Sequence, residues 1–194
     1  MIDIVINEDL IYHTNEYDAI LISTNCYQSM RNGFQFDVVT KYPYVLECNY
    51  KTKYADERKL GTIIECKNEN EPLFILMFNT LLYNYRGNDD DFFNYESLEK
   101  CLQLINILYE GKHLATTMIG CTYFDGNANK DKILEIINKN ITNLDLTIYD
   151  YKQKTHYEIK RCEYITKLKK RHERNKRKLK ESTNRREDKN KKRM

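Results

Sequence analysis

The chain of 194 residues carries a net charge of +3, with 41% hydrophobic and 31% charged residues, enough for one cored domain plus an appendage. No apolar run approaches the roughly 18 residues of a membrane span, and the acidic opening MIDIVINEDL is unlike a signal peptide, so an intracellular protein without a membrane partner is expected. Cys26, Cys48, Cys66, Cys101, Cys121 and Cys162 include no CxxC pair, which argues against zinc and a disulfide framework and for reduced thiols with no metal or cofactor.

In chain order, IDIVI at residues 2–6 and YDAILIS at 17–23 read as strands. Short runs that are apolar throughout fit a sheet covered on both faces. Thr24-Asn25-Cys26, a polar segment and Gly33 follow. Residues 34–40 read as a short helix, stopped at Lys41-Tyr42-Pro43. Residues 44–59 are charged and hard to assign. GTIIEC at 61–66 and LFILMF at 73–78 are two more strands, split by the turn composition KNENEP. Residues 81–93 read as a loop.

Residues 95–109 form the clearest helix. Asn94 can cap it, Leu98, Leu102, Ile105 and Leu108 recur at helical spacing, and Gly111 stops it. The stripe reads as core packing. A strand over 114–119 then enters a loop bounded by Gly120 and Gly126, and a helix over 130–138 follows. The last strand covers 144–151. The order is α/β: a three-layer domain with a mixed sheet flanked by helices, spanning residues 1–151.

Strand, glycine-bearing loop and helix is an arrangement that α/β proteins use to hold phosphates. Glycine lets the backbone come close, and N–H groups at the turn and helix start face the anion. Many such turns contain glycine only to turn the chain. His13, His113, His156 and His172 do not cluster with an acid or a nucleophile in sequence, and all four read as surface or structural.

Composition changes at residue 152. Residues 152–194 hold 19 Lys and Arg against 6 Asp and Glu, a net of +13, which leaves residues 1–151 at −10. The tail reads as helical and then disordered, with little to bury. It is either a solvated run or a surface for an acidic partner or the phosphates of a nucleic acid.

Several segments, in order, resemble the macro domain family, the ADP-ribose-binding fold. They are NEDLI at 7–11, YDAILISTN ending at Asn25, MRNGF at 30–34, GTIIE at 61–65, NYESLEKCL at 94–102 and MIGCTYFDG at 118–126. The chain is most similar to the branch holding terminal ADP-ribose protein glycohydrolases and ADP-ribose-1″-phosphate phosphatases. The resemblance implies a macro-like mixed sheet. It implies that Asp9 binds the adenine amino group, with Leu10 beside it. Met30, Arg31, Asn32, Gly33 and Phe34 would pass near the distal ribose and diphosphate. Ile119, Gly120, Cys121, Thr122, Tyr123, Phe124 and Asp125 would cradle the diphosphate, Asn79 would lie at the end of the fourth strand, and Tyr149 or Tyr151 would stack on adenine.

Arg31 and Thr122 depart from glycines of the family pattern, and Asn79-Thr80-Leu81 offers no lysine where one branch uses it. A lysyl mechanism is therefore not expected. The resemblance leaves Asp125 as a base near the distal ribose and Asn25 as the residue that orients that ribose. Asp125-Gly126 is equally readable as a plain turn. The functions implied are an ADP-ribosyl hydrolase acting on a modified acceptor, a non-catalytic ADP-ribose module, or a nucleic-acid-tethered accessory protein whose fold has lost its ligand.

Overall fold

The computed structural model describes residues 1–31, 33–80, 93–120 and 128–150. Its elements run β1 (Ile2–Ile6), β2 (Ala19–Asn25), α1 (Gly33–Lys41), α2 (Pro43–Tyr50), β3 (Ile63–Cys66), β4 (Phe74–Thr80), α3 (Tyr95–Leu108), β5 (His113–Thr117), α4 (Lys130–Asn140) and β6 (Asp145–Asp150). The strands form one six-stranded sheet in the order β1-β6-β5-β2-β4-β3. All neighbours are parallel except β3, which runs antiparallel to β4. The expected α/β mixed sheet flanked by helices is therefore present.

The period of two in the strands divides the core between two faces. On β2 and β4, Leu21, Ile75 and Met77 join Leu98, Leu102 and Ile105 of α3 and Ile133 and Ile137 of α4. Their neighbours Ile20, Ile22, Phe74, Leu76 and Phe78 join Val38 of α1 and Val45 of α2. Burying each such side chain contributes about 1.5–3 kcal/mol. The Leu98/Leu102/Ile105 stripe thus belongs to the core, as the spacing predicts, whereas Leu108 at its end is exposed.

Caps and breakers act where the residue types say they should. Asn94 Oδ1 accepts from Ser97 N at 2.8 Å and starts α3. Pro43 does more than stop a helix. Tyr42 leaves the helical region at φ −127° and ψ 76°, as a residue before proline tends to, and Pro43 then occupies the first turn of α2. Half of the unassigned 44–59 stretch is therefore helical. The second strand sits two residues later than its apolar run suggests, because it pairs with β4 out to Asn25. β1 departs from the expectation of two covered faces. It is an edge strand, and Ile4 and Ile6 are exposed. Among the described residues, no helix is long and apolar enough to cross a membrane.

Candidate ligand crevice

β2 and β5 are neighbours, and the first three residues of β2, Ala19–Leu21, pair with Leu114–Thr116 at the centre of β5. Beyond that the chain leaves β2 for α1 and α2 on one face, and leaves β5 for α4 on the other. Adjacent parallel strands whose helices depart to opposite faces make a topological switch point. Open α/β sheets bind ligands in the crevice outside the carboxyl ends of such strands. Side chains take over the backbone groups where the ladder stops. Thr116 Oγ1 donates to Leu21 O at 3.1 Å, and Gln35 Nε2 donates to Ser23 O.

The loop that leaves β2 is tied down along its length. Asn25 Oδ1 accepts from Tyr27 N at 2.9 Å and Ser29 N at 3.2 Å, and Nδ2 donates to Ser29 O at 2.7 Å. Next, Gln28 adopts φ +58° and drives its amide into the end of α2, donating to Thr52 O at 2.6 Å and Asn49 O at 3.2 Å. Met30 is buried, Arg31 exposed, and Gly33 opens α1 at φ +52°, with Phe34 half-buried against the core. Asn32 lies outside the described residues.

The loop that leaves β5 is held at its two feet. Ile119 is buried, and Gly120 turns at φ +63°. A Cβ at Gly120 would come within 2.3 Å of Phe93 Cε2, so the ring of Phe93 occupies the space where any other residue carries a side chain. Ala128 N donates to Gly120 O at 2.8 Å and draws the feet together. Asn129 then caps α4 through Lys132 N at 3.1 Å, while its own N–H donates to the Tyr95 hydroxyl at 3.0 Å. Cys121, Thr122, Tyr123, Phe124, Asp125 and Gly126, which carry the implied diphosphate cradle and base, lie outside the described residues.

The other implied positions sit at neighbouring strand ends in different states. Asp9 follows β1 and caps a short 3-10 turn, with Oδ1 accepting from Ile11 N at 3.2 Å, while Leu10 is buried in the core. Asn79 at the end of β4 is fully buried. Its Oδ1 accepts from Ser23 Oγ at 2.7 Å, and its Nδ2 has no partner among the described residues. Thr24 Oγ1 on β2 is likewise buried with no partner among the described residues. Each such orphan costs about 1–3 kcal/mol, and natural proteins accept that chiefly where water, ion or ligand completes the set.

Two of the implied positions have closely packed surroundings. Tyr149 is only 3% exposed. Its hydroxyl is paired with Tyr17 at 2.8 Å, its ring stacks on His13 with centroids 5.7 Å apart, and burial followed by the Tyr17 bond pushes its phenol pKa up. Its ring packs within the core cluster on the α1/α2 face. Asn25 is 9% exposed, and both ends of its amide hold its own loop. The amide thereby shapes the loop beside the crevice.

Gln28, Gln35, Ser23, Thr116 and Phe93 were not marked by the sequence. Ser23 falls within YDAILISTN without being singled out, the others sit in no motif, and each acts through a partner further away in the chain. His13 lies between Glu16 and Glu8, with its nitrogens 2.8 and 3.5 Å from their carboxylates, and His113 Nε2 meets Thr147 Oγ1 at 2.9 Å, both in structural roles. His156 and His172 fall outside the described residues. Among the described residues, no three His, Cys, Asp or Glu groups gather as a metal site.

No protein-family model matches the chain, and no curated protein does. Solved structures do. The macrodomain of Thermus aquaticus DarG aligns with a TM-score of 0.56 at 15% identity over 77% of this chain and 98% of its own. Thermosipho africanus DarTG, solved in complex with ADP-ribose, aligns with a TM-score of 0.60 at 15% identity over 79% of this chain and 43% of its own. A Bacteroides thetaiotaomicron protein of unknown function aligns with a TM-score of 0.60 at 17% identity over 77% of this chain and 98% of its own. The architecture of this chain is the macrodomain fold.

Proposed function

We propose that the crevice between β2 and β5 binds ADP-ribose or a closely related nucleotide, and that the chain removes ADP-ribose from a modified acceptor. One observation carries the binding half. The two loops with the expected ligand segments leave the carboxyl ends of adjacent strands, at the switch point of the sheet. Asn79 Nδ2 and Thr24 Oγ1, buried at the same ends of β4 and β2 with no partner among the described residues, add to it. So does the shared fold with a protein solved around ADP-ribose.

In this reading the second carboxylate oxygen of Asp9 receives the adenine amino group. Backbone N–H groups at the start of α1 and around Gly120 take the diphosphate, and Arg31, exposed beside them, supplies a positive charge. Asp125 takes a proton from water or a ribose hydroxyl as the bond to the acceptor breaks. The basic residues 152–194 form a separate segment that approaches phosphate-rich partners.

Calorimetry with ADP-ribose tests the first step. Saturable heat is expected, and none at millimolar ligand would overturn the binding reading. Turnover of ADP-ribosylated protein, DNA or ADP-ribose-1″-phosphate tests the second, with loss in Asp125→Ala expected. A second reading, a module that binds without turnover, is favoured by the Asn25 amide being taken up in its own loop and by the missing lysine at residues 79–81. Equal turnover in wild type and Asp125→Ala would remove the assignment of the base, while binding without any turnover would establish the second reading.

A further inference from the structure

Two cysteines meet away from the crevice. Cys66 is the last residue of β3 and fully buried, and Cys48 lies half-buried on α2. Cys48 Sγ donates to Glu65 O at 3.5 Å, the carbonyl bonded directly to the Cys66 nitrogen, so its sulfur stands beside that residue. Both belong to the core on the α1/α2 face. The other described thiols are placed differently. Cys101 Sγ donates to Thr62 O at 3.3 Å, and Cys26 is buried at the start of the β2–α1 loop.

We propose that Cys48 and Cys66 are a reversible dithiol–disulfide pair, oxidised by a peroxide, that bolts α2 to β3. Cys48 reacts first because it is the one solvent can reach. Its sulfur attacks hydrogen peroxide, an S–O bond forms, the O–O bond breaks, and one water leaves behind a sulfenic acid. Cys66 sulfur then attacks Cys48 sulfur. The S–S bond forms, the S–O bond breaks, and the departing hydroxide takes the Cys66 proton as a second water. Two thiols lose two electrons and two protons, and one peroxide becomes two waters.

Burial pushes the Cys66 thiol up and keeps it from reacting alone, while the nearby Lys51 charge draws it part of the way back. The bond would act on the crevice wall. Cys48 immediately precedes Asn49, whose carbonyl receives the Gln28 amide of the β2–α1 loop.

The test is made on the full chain, treated with one equivalent of hydrogen peroxide, denatured, alkylated and read by mass spectrometry. Alkylatable thiols fall from six to four, the mass drops by about 2 Da, one cross-linked peptide joins residues 48 and 66, and dithiothreitol reverses all three. Cys48→Ser abolishes the cross-link and leaves Cys66 reduced. Cys66→Ala, which avoids a buried hydroxyl, leaves a Cys48 sulfenic acid that dimedone traps. Cross-links to other cysteines, or Cys48 driven to the sulfinic acid with Cys66 still free, would overturn the proposal. So would both thiols surviving peroxide.

Discussion

The two loops beside the crevice are held by opposite means. The β2–α1 loop is tied along its length by side-chain amides, with Asn25 gripping Tyr27 and Ser29 and Gln28 gripping the end of α2. The β5–α4 loop is pinned at its feet, by the Ala128–Gly120 backbone bond and by the ring of Phe93 over Gly120. Polar ties tolerate substitution in proportion to the bonds lost. A glycine under an aromatic ring does not, because the smallest possible addition already collides. One wall of the crevice should therefore respond in degrees and the other all at once.

Gly120→Ala is the harshest way to probe that contrast. The added methyl meets Phe93 at 2.3 Å and the backbone stays at φ +63°. A loss of about 2–4 kcal/mol is expected from crowding plus left-handed strain. Urea unfolding reads the stability, and ADP-ribose calorimetry the crevice. Gly120→Ala with Phe93→Ala should recover part of the crowding cost, and failure to recover any would show that the ring is not the obstacle. Gln28→Ala comes next, with about 1–3 kcal/mol lost from the carbonyls of Asn49 and Thr52. Gln28→Gly should cost less than Gln28→Ala, because the position sits at φ +58°. The reverse order would mean that the loop gives way without its amide.

What could be read from the sequence follows the range of the interactions. The helix at residues 95–108 announced itself through Leu98, Leu102 and Ile105, and its cap through Asn94, because both signals are local. The strand of residues 113–117 and the glycine after it were legible for the same reason. Local composition does not report which strands are neighbours. The β2–β5 adjacency that makes a crevice of two loops belongs to the sheet order. The pairing of Tyr149 with Tyr17 was not legible, because a tyrosine in a strand carries no mark of which face it lies on or what waits there. Gln28 was invisible in the same way. Its partners, Asn49 and Thr52, are 21 and 24 residues further along the chain.

The far foot of the pinned loop offers a milder test. Asn129 caps α4 through Lys132 N and meets the Tyr95 hydroxyl, while Lys132 Nζ stands 3.9 Å over the Tyr95 ring. Asn129→Ala should cost about 1 kcal/mol by loss of the cap. Tyr95→Phe should cost less, since the ring and the cation above it remain. Both readings come from thermal melts, and equal losses would show that the hydroxyl, not the cap, holds the foot.

Arg31 separates stability from ligand affinity. Its side chain is exposed at the end of the amide-tied loop, with no hydrogen bond or ion pair to another described residue. Arg31→Ala should leave the unfolding midpoint unchanged within about 0.5 kcal/mol, as surface substitutions usually do. If the guanidinium meets the diphosphate, affinity for ADP-ribose falls roughly tenfold, the loss expected for one exposed charge-assisted contact of about 1–2 kcal/mol. That loss should shrink as salt is raised. Tighter binding in Arg31→Ala would mean the opposite arrangement, with the side chain standing where the family pattern keeps a glycine and obstructing the approach of the backbone. Calorimetry of wild type and Arg31→Ala at two ionic strengths decides between an arm that recruits the anion and one that stands in its way.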